Sequence, residues 1–279
     1  MSLLDMFRKL LEKLSQGKVI KRKLPSEFQK TPFFVSPDAQ LKFLKPNNSA
    51  FSPDLLKIAM EHIKSGDVVW DIGANVGVFT FAAASLAGSD GYVFAVEPDI
   101  WLANLINKSA HLRANSHFNI NVLPAAVSDG NNIETLLIAE RGRASNALAK
   151  VIGRTQMGGV REKNLVPTVT LDQILSASKS PCFIKIDVEG AEVEVLKGAS
   201  KVLSQIRPII YCEIGPHQRN DVTNILKLAN YNLYDGNLPR EERSALTYCT
   251  YNTLAYPIEK DILKTIPHSL QQNWQSSDN

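Results

Sequence analysis

The run Val68-Val69-Trp70-Asp71-Ile72-Gly73-Ala74-Asn75-Val76-Gly77 constrains this chain more than any other. An apolar stretch ending in an acid gives way to a turn with small residues at every second position, and a helix-compatible segment follows. That order reads as strand, tight turn and helix, the opening of a βαβ unit in a mainly parallel sheet. Gly73 and Gly77 permit left-handed backbone and close approach of a ligand, and Asn75 is the side-chain type that tolerates the same geometry best. Open parallel sheets bind ligands beyond the carboxyl ends of their strands, so Asp71, Gly73, Asn75 and Gly77 are candidate ligand contacts. The third glycine of a dinucleotide fingerprint is missing, and a carboxylate at position 71 would repel a pyrophosphate while suiting an ammonium group.

The rest of the chain repeats the theme. Short Val- and Ile-rich runs at residues 68–72, 92–96, 120–124, 183–188 and 209–214 predict strands, and residues 77–87, 100–113, 191–203 and 220–228 predict helices between them. The expected class is α/β, with helices on both faces of the sheet. Ahead of it, partial alternation over residues 31–46 around Pro37-Asp38 predicts a short hairpin. Ser52-Pro53-Asp54 marks a helix start, with Ser52 as its cap and an end near residue 64. Residues 3–14 carry Leu3, Phe7, Leu10 and Leu14 at helical spacing, interrupted by Asp5, Arg8, Lys9 and Lys13, which is an amphipathic helix and not a secretion signal. Its expected role is packing on the chain's own domain; peripheral contact with a membrane surface or a partner is the alternative, favoured by Lys18, Lys21, Arg22 and Lys23. The chain thus divides into an extension (1–50), a main domain (51–258) and a tail (259–279) that is polar from Gln271 onward.

Composition removes several classes. Apolar residues at 44% and charged residues at 21% describe a chain with a packed core. A net charge of +3 over 279 residues gives no global attraction for nucleic acid. Cys182, Cys212 and Cys249 form no Cys-x-x-Cys pair, so neither a disulfide framework nor a structural zinc is expected. The most apolar stretch, residues 76–88, falls short of the roughly 20 residues a membrane span needs, and a cytoplasmic location is expected. Oligomeric state is not encoded legibly. Residues 140–165 carry Arg141, Arg143, Lys150, Arg154, Arg161 and Lys163 against Glu140 and Glu162. This basic insertion is expected to be a substrate lid, with a solvated loop as the alternative.

The second strand ends in Glu97-Pro98, 26 residues after Asp71. An acid there is placed as ribose-binding acids are in nucleotide folds, accepting from both sugar hydroxyls. Ammonium plus ribose points to S-adenosylmethionine. Small residues after the third strand, Pro124-Ala125-Ala126-Val127, leave room for an adenine ring, and Ser128 or Asp129 is placed to hold its amino group. With these residues in view, the chain resembles the FkbM-type branch of class I S-adenosylmethionine-dependent methyltransferases. The resemblance is carried by residues 71–77, by Glu97-Pro98 and above all by Ile184-Lys185-Ile186-Asp187-Val188-Glu189-Gly190-Ala191-Glu192, with Thr170-Leu171-Asp172 and Leu196-Lys197-Gly198-Ala199 around it, and it runs from about Pro53 to Pro257. It implies a Rossmann-like class I methyltransferase fold: a mostly parallel seven-stranded sheet with a reversed final strand, its last two strands at residues 232–234 and 253–256. It also implies methylation of a hydroxyl on a sugar, polyketide or related small metabolite.

Residue chemistry suggests the catalytic set. Strand alternation puts Lys185, Asp187 and Glu189 on one side. An ion pair bracing the sheet is the expected role of Lys185, while Asp187 and Glu189 are candidates for the pocket floor. A hydroxyl acceptor needs a group to take its proton. Glu189 and His217 are rival bases, imidazole being the side chain that titrates nearest neutral pH, and Glu213 ends the next strand on the same rim. Asp187, Glu189 and Glu213 form an alternative set of oxygen ligands for Mg²⁺; the preferred reading assigns no metal. The competing reading from another class is a non-catalytic fold acting as a partner or membrane-surface adaptor. Three acids at strand tips, Asp71, Glu97 and Asp187, weigh against it.

Overall fold

The structure is a computed structural model that describes residues 3–151, 153, 157–261 and 263. Helix α1 (Leu3–Leu14) leads through a left-handed Gly17 into a hairpin of β1 (Ile20–Lys23) and β2 (Pro32–Val35). After α2 (Pro53–His62) come β3 (Val68–Ile72), α3 (Val78–Ala87), β4 (Tyr92–Val96), α4 (Ile100–Ala110) and β5 (Ile120–Leu123). Four more strands follow: β6 (Ala126–Val127), β7 (Ile133–Ala139), β8 (Ala147–Leu148) and β9 (Val160–Val169). The chain closes with α5 (Leu171–Ala177), β10 (Phe183–Ile186), α6 (Glu192–Lys197), β11 (Ile209–Glu213), α7 (Arg219–Leu228), β12 (Tyr231–Asp235) and β13 (Asn252–Pro257).

Seven strands form the main sheet in the order β12-β13-β11-β10-β3-β4-β5. From β11 through β5 the pairings are parallel, and β13 is antiparallel to both neighbours, the reversed final strand expected above. Strand order reverses between β3 and β10, the crevice where such sheets bind ligands. Alternation along β3 sends Val69 into the core on one face and Trp70 and Ile72 into the core on the other. Both faces are therefore buried, as in parallel sheets generally.

The first face is covered by α3 and by the extension. Phe28, Phe33, Phe43 and Phe51 lie in the same apolar core as Phe79 and Phe81, with the Phe33 ring 5.4 Å from that of Phe81. The core thus runs across residue 50 without a break.

Four expectations need correction. The hairpin lies at residues 20–35, not around Pro37-Asp38, which is a simple turn; the basic run Ile20–Lys23 conceals a strand. Ser52 starts α2 but its side chain makes no capping hydrogen bond, and the helix ends at His62. The expected helix over residues 191–203 stops at Lys197, and a π turn follows at Val202–Ile206. The basic insertion is loop in part and sheet in part, with strand at residues 147–148 and from 160 onward. β7 and β9 pair antiparallel from Ile133–Pro167 to Ala139–Val160 and, with β6 and β8, build a four-stranded sheet beside the main one. Arg154 and most of the tail, including residues 264–279, lie outside the described residues.

Helix α1 also departs from expectation. Ser15 just beyond it is buried, yet Met6, Phe7, Leu10 and Leu14 are each more than half exposed. Among the described residues no helix is long and apolar enough to cross a membrane.

Candidate active site

The turn after β3 is left-handed at Gly73, Asn75 and Gly77, with φ of +77°, +54° and +86°. The amides of Gly73 and Ala74 donate to the Val96 carbonyl at 2.9 and 3.0 Å, which ties the turn to the tip of β4. A Cβ on Gly73 would sit 1.8 Å from the Asp187 carbonyl oxygen, so glycine here lets the tips of β3 and β10 touch. Gly77 begins α3 against the Phe81 ring and lines neither cavity described below.

Glu97 is buried at the end of β4. One carboxylate oxygen accepts from the Asn75 amide at 2.7 Å and the other from the Asp99 amide at 2.9 Å. Burial nevertheless dominates and pushes its pKa up to about 8. It faces an open cleft at the strand tips. Gly73, Asn75 and Glu97 form one wall, Ala125, Ala126 and Val127 a second, and Leu136, Arg143 and Leu148 from the small sheet and its loops a third. The expected alanine-rich wall is therefore present. Ser128 and Asp129 are not on it: the Lys150 ammonium donates to both, at 2.5 and 3.2 Å.

A second, more polar cleft of about 970 Å³ adjoins the first. Gln40, Lys42 and Phe43 of the extension line it, with Asp187, Glu189, Tyr211, Glu213 and Asn252 from the tips of the main sheet. Asn75, Ala144, Asp187 and Glu189 line both clefts. Glu189 holds a left-handed φ of +51°, a conformation that costs a non-glycine residue about 1–2 kcal/mol, and Gly190 follows at +99°. Such strain is characteristic of functional turns. Burial, reinforced by Asp187 and Glu213, pushes Glu189 up to about 8. Glu213 is raised by burial and Asp187, against the hydrogen bond donated by the Tyr251 hydroxyl. Lys42 is lowered by burial, with Asp187 and Glu213 opposing the change, and among the described residues it forms no ion pair.

Asp71 does not meet the expectation of a ligand-facing carboxylate. It is fully buried, accepts from the Thr80 hydroxyl at 2.6 Å and lies 3.2 Å from the Lys185 ammonium. Lys185 also donates to the Gly73 carbonyl at 2.7 Å and lies 3.4 Å from Asp187. Burial works against its charge, but the two carboxylates raise its pKa above the ordinary lysine range. The bracing role expected of Lys185 is what the geometry shows, with Asp71 as a second partner. His217 sits exposed in the turn before α7 and lines neither cleft. The carboxylates Asp187, Glu189 and Glu213 are brought together; among the described residues no group of three His, Cys, Asp or Glu side chains is arranged to hold a metal ion.

Arg143, read as a lid cation, is a clamp. It pairs with Asp38 of the extension at 3.0 Å and with Asp99 at 2.5 Å, and its guanidinium lies 4.9 Å from the Trp101 ring centroid. Arg161 adds a second bridge to Asp38 at 2.9 Å. Extension, small sheet and β4–α4 turn are thereby joined around the first cleft. Sequence reasoning missed Lys42, Gln40, Leu136 and Leu148 because no local pattern links them to the strand tips.

The chain is similar to known methyltransferases. The profile of the methyltransferase FkbM domain matches residues 71–252. The hexuronic acid methyltransferase AglP of Haloferax volcanii is 24% identical over 191 residues, covering 68% of this chain and 73% of that protein. Among solved structures, the FkbM methyltransferase of Methylobacillus flagellatus is 16% identical with a TM-score of 0.43, covering 83% of this chain and 58% of its own. An S-adenosylmethionine-dependent O-methyltransferase of Thermotoga maritima is 14% identical, also with a TM-score of 0.43, covering 81% and 72% respectively.

Proposed function

Because the chain belongs to the FkbM methyltransferase family, we propose that it is an S-adenosylmethionine-dependent enzyme that methylates a hydroxyl of a sugar or related small metabolite. The observation that carries this reading is the shared lining: Asp187 and Glu189 face both clefts at once. S-adenosylmethionine supplies an electrophilic methyl on a sulfonium, open to in-line attack by an oxygen nucleophile. The residues of the first cleft fit it: Glu97 offers a carboxylate to ribose hydroxyls, Ala125–Val127 with Leu136 and Leu148 offer an apolar slot for the adenine, and Asp187 is the carboxylate available to the ammonium, since Asp71 is covered by Lys185.

The second cleft then holds the acceptor. A hydroxyl is a weak nucleophile until its proton is removed, and Glu189, with a pKa near the working pH, is suited to remove it. Glu213 and Asp187 accept hydrogen bonds from neighbouring hydroxyls, which aligns a polyhydroxylated ring. Lys42 is the cation available to an anionic substituent. The relative that acts on a hexuronic acid supports an acceptor of this kind, a sugar carrying a carboxylate. Three carboxylates around the methyl-accepting position disfavour another carboxylate there, so the carboxylate of such a sugar sits on Lys42 and a hydroxyl faces Glu189.

The test is incubation with methyl-labelled S-adenosylmethionine and paired acceptors, one bearing glucuronate and one bearing glucose. The expected product is an alkali-stable methyl ether, formed preferentially on the glucuronate acceptor. An alkali-labile methyl ester would overturn the hydroxyl assignment, and label on neither acceptor would overturn the sugar assignment.

A further inference from the structure

Helix α1 and the strand that follows it in the chain carry groups that the methyl-transfer site does not use. Met6, Phe7, Leu10 and Leu14 fall on one stripe of the helix and are 54–62% exposed, while Glu12, on the opposite side, is mostly covered and Ser15 is buried. The helix thus turns its polar side toward the body and its apolar side toward solvent, the reverse of a helix that packs on its own domain. Val19, five residues beyond the helix, is exposed as well.

Cations are concentrated in the same segment of the chain. Residues 1–30 contain eight Lys or Arg against three Asp or Glu, a surplus of five in a chain whose total is +3. The remaining residues are therefore net negative, and the positive charge is concentrated here. In β1 the alternation exposes Lys21 and Lys23 on one side. Together with Arg22 and Lys30 they line a shallow open pocket that has no acidic residue in its lining. Among the described residues the ammonium groups of Lys18, Lys21, Lys23 and Lys30 form no ion pair.

We propose that α1 and the Lys21–Lys23–Lys30 pocket dock this protein on an anionic lipid surface, the apolar stripe entering the headgroup boundary and the pocket taking a lipid phosphate. Apolar stripe and basic flank together are the physical requirements of an interfacial helix. A second copy of the chain is a poorer occupant, because it would bring the same surplus of positive charge against this one, and one twelve-residue helix falls well short of the roughly 800 Å² per partner of a stable interface. Nucleic acid would satisfy the lysines and leave four large apolar side chains in water. The proposal is independent of the methyl acceptor and would hold whatever that acceptor is.

Vesicle sedimentation of the full chain tests it, with phosphatidylcholine vesicles against vesicles containing about one quarter phosphatidylglycerol. The expected result is binding to the anionic vesicles, with at least tenfold less binding to the neutral ones. Leu10→Glu with Leu14→Glu should lower vesicle binding about tenfold or more, and Lys21→Ala with Lys23→Ala should also lower it about tenfold and weaken its dependence on salt. Both double variants should keep wild-type affinity for S-adenosylhomocysteine, which shows that the fold is intact. Binding to anionic vesicles that survives Leu10→Glu with Leu14→Glu would reveal adsorption by charge alone and overturn the proposal. So would absence of vesicle binding, whether with a dimer in sedimentation velocity that the Leu variants dissolve or with retention on duplex DNA that the Lys variants abolish.

Discussion

The two clefts at the strand tips are neighbours that share four lining residues, yet they differ in how their polar groups are placed. One wall of the first comes from a contiguous stretch: β3, its left-handed turn and the tip of β4 place Gly73, Asn75 and Glu97 through backbone hydrogen bonds formed within some 25 residues, and residues 125–148 and 187–191 supply the rest. The second draws Lys42 from the extension, Asp187 and Glu189 from the tip of β10, and Asn252 from β13, segments more than 200 residues apart at the extremes. A cleft made by a local turn can be held constant while a cleft closed by distant segments varies. This division suits an enzyme that keeps one cofactor and adapts its acceptor.

If that division is right, substitutions in the two clefts should separate in their effects. The largest effect should come from Glu189, where the clefts meet. Glu189→Gln should lower kcat by about 10²–10⁴ and His217→Ala should change it by no more than about twofold. Wild-type kcat should rise with pH and level off above about 8, because the base acts only when ionised and its pKa is raised to that value. A flat profile from about pH 6 to 9, or a silent Glu189→Gln, would remove Glu189 from the chemistry.

Arg143 tests whether the clamp joining the regions is structural. Its partners Asp38 and Asp99 are almost wholly buried, so Arg143→Ala leaves Asp99 without its cation and Asp38 with Arg161 alone, and should destabilise the fold by about 3–5 kcal/mol in denaturant unfolding. Unchanged stability with a raised acceptor KM would restore the reading of Arg143 as a substrate-facing lid residue.

Lys42 sharpens the acceptor side. Lys42→Ala should raise the KM of a carboxylate-bearing acceptor about tenfold or more, the worth of a charged hydrogen bond, with kcat changed less than about threefold and Lys42→Arg partly restoring affinity. An equal change with a neutral acceptor would show that Lys42 supports the cleft without contacting the substrate.

A smaller effect is expected from pH on cofactor binding. Burial raises Glu97 to about 8, and ribose hydroxyls bind its ionised form. Below that pH, binding must first drive off a proton, so affinity should increase roughly tenfold between about pH 6.5 and 8 and then level off. Glu97→Gln should flatten this dependence. Affinity that falls over the same range would contradict the assignment.

The contrast also explains what could be read from the sequence. The β3 turn was legible because left-handed positions filled by Gly73, Asn75 and Gly77 leave a local signature, and the parallel strands were legible as Val- and Ile-rich runs buried on both faces. The small sheet was not: β9 opens on the consecutive polar residues Arg161-Glu162-Lys163-Asn164, contains Pro167, and leaves Leu165 77% exposed, so it reads as a basic loop. Charge at a strand tip was visible but its direction was not. Asp71, Asp187 and Glu97 look equivalent in sequence, and only the position of Lys185 decides that Asp71 is covered while the other two line the first cleft.

The most direct test of the two-cleft account is isothermal titration of S-adenosylhomocysteine into the wild type, Glu97→Ala and Lys42→Ala. Glu97→Ala should lose about 1.5–3 kcal/mol of binding free energy, roughly ten- to a hundredfold in Kd, while Lys42→Ala should stay within about twofold of the wild type. Equal losses in the two variants, or wild-type affinity in Glu97→Ala, would contradict the division of cofactor and acceptor between the clefts.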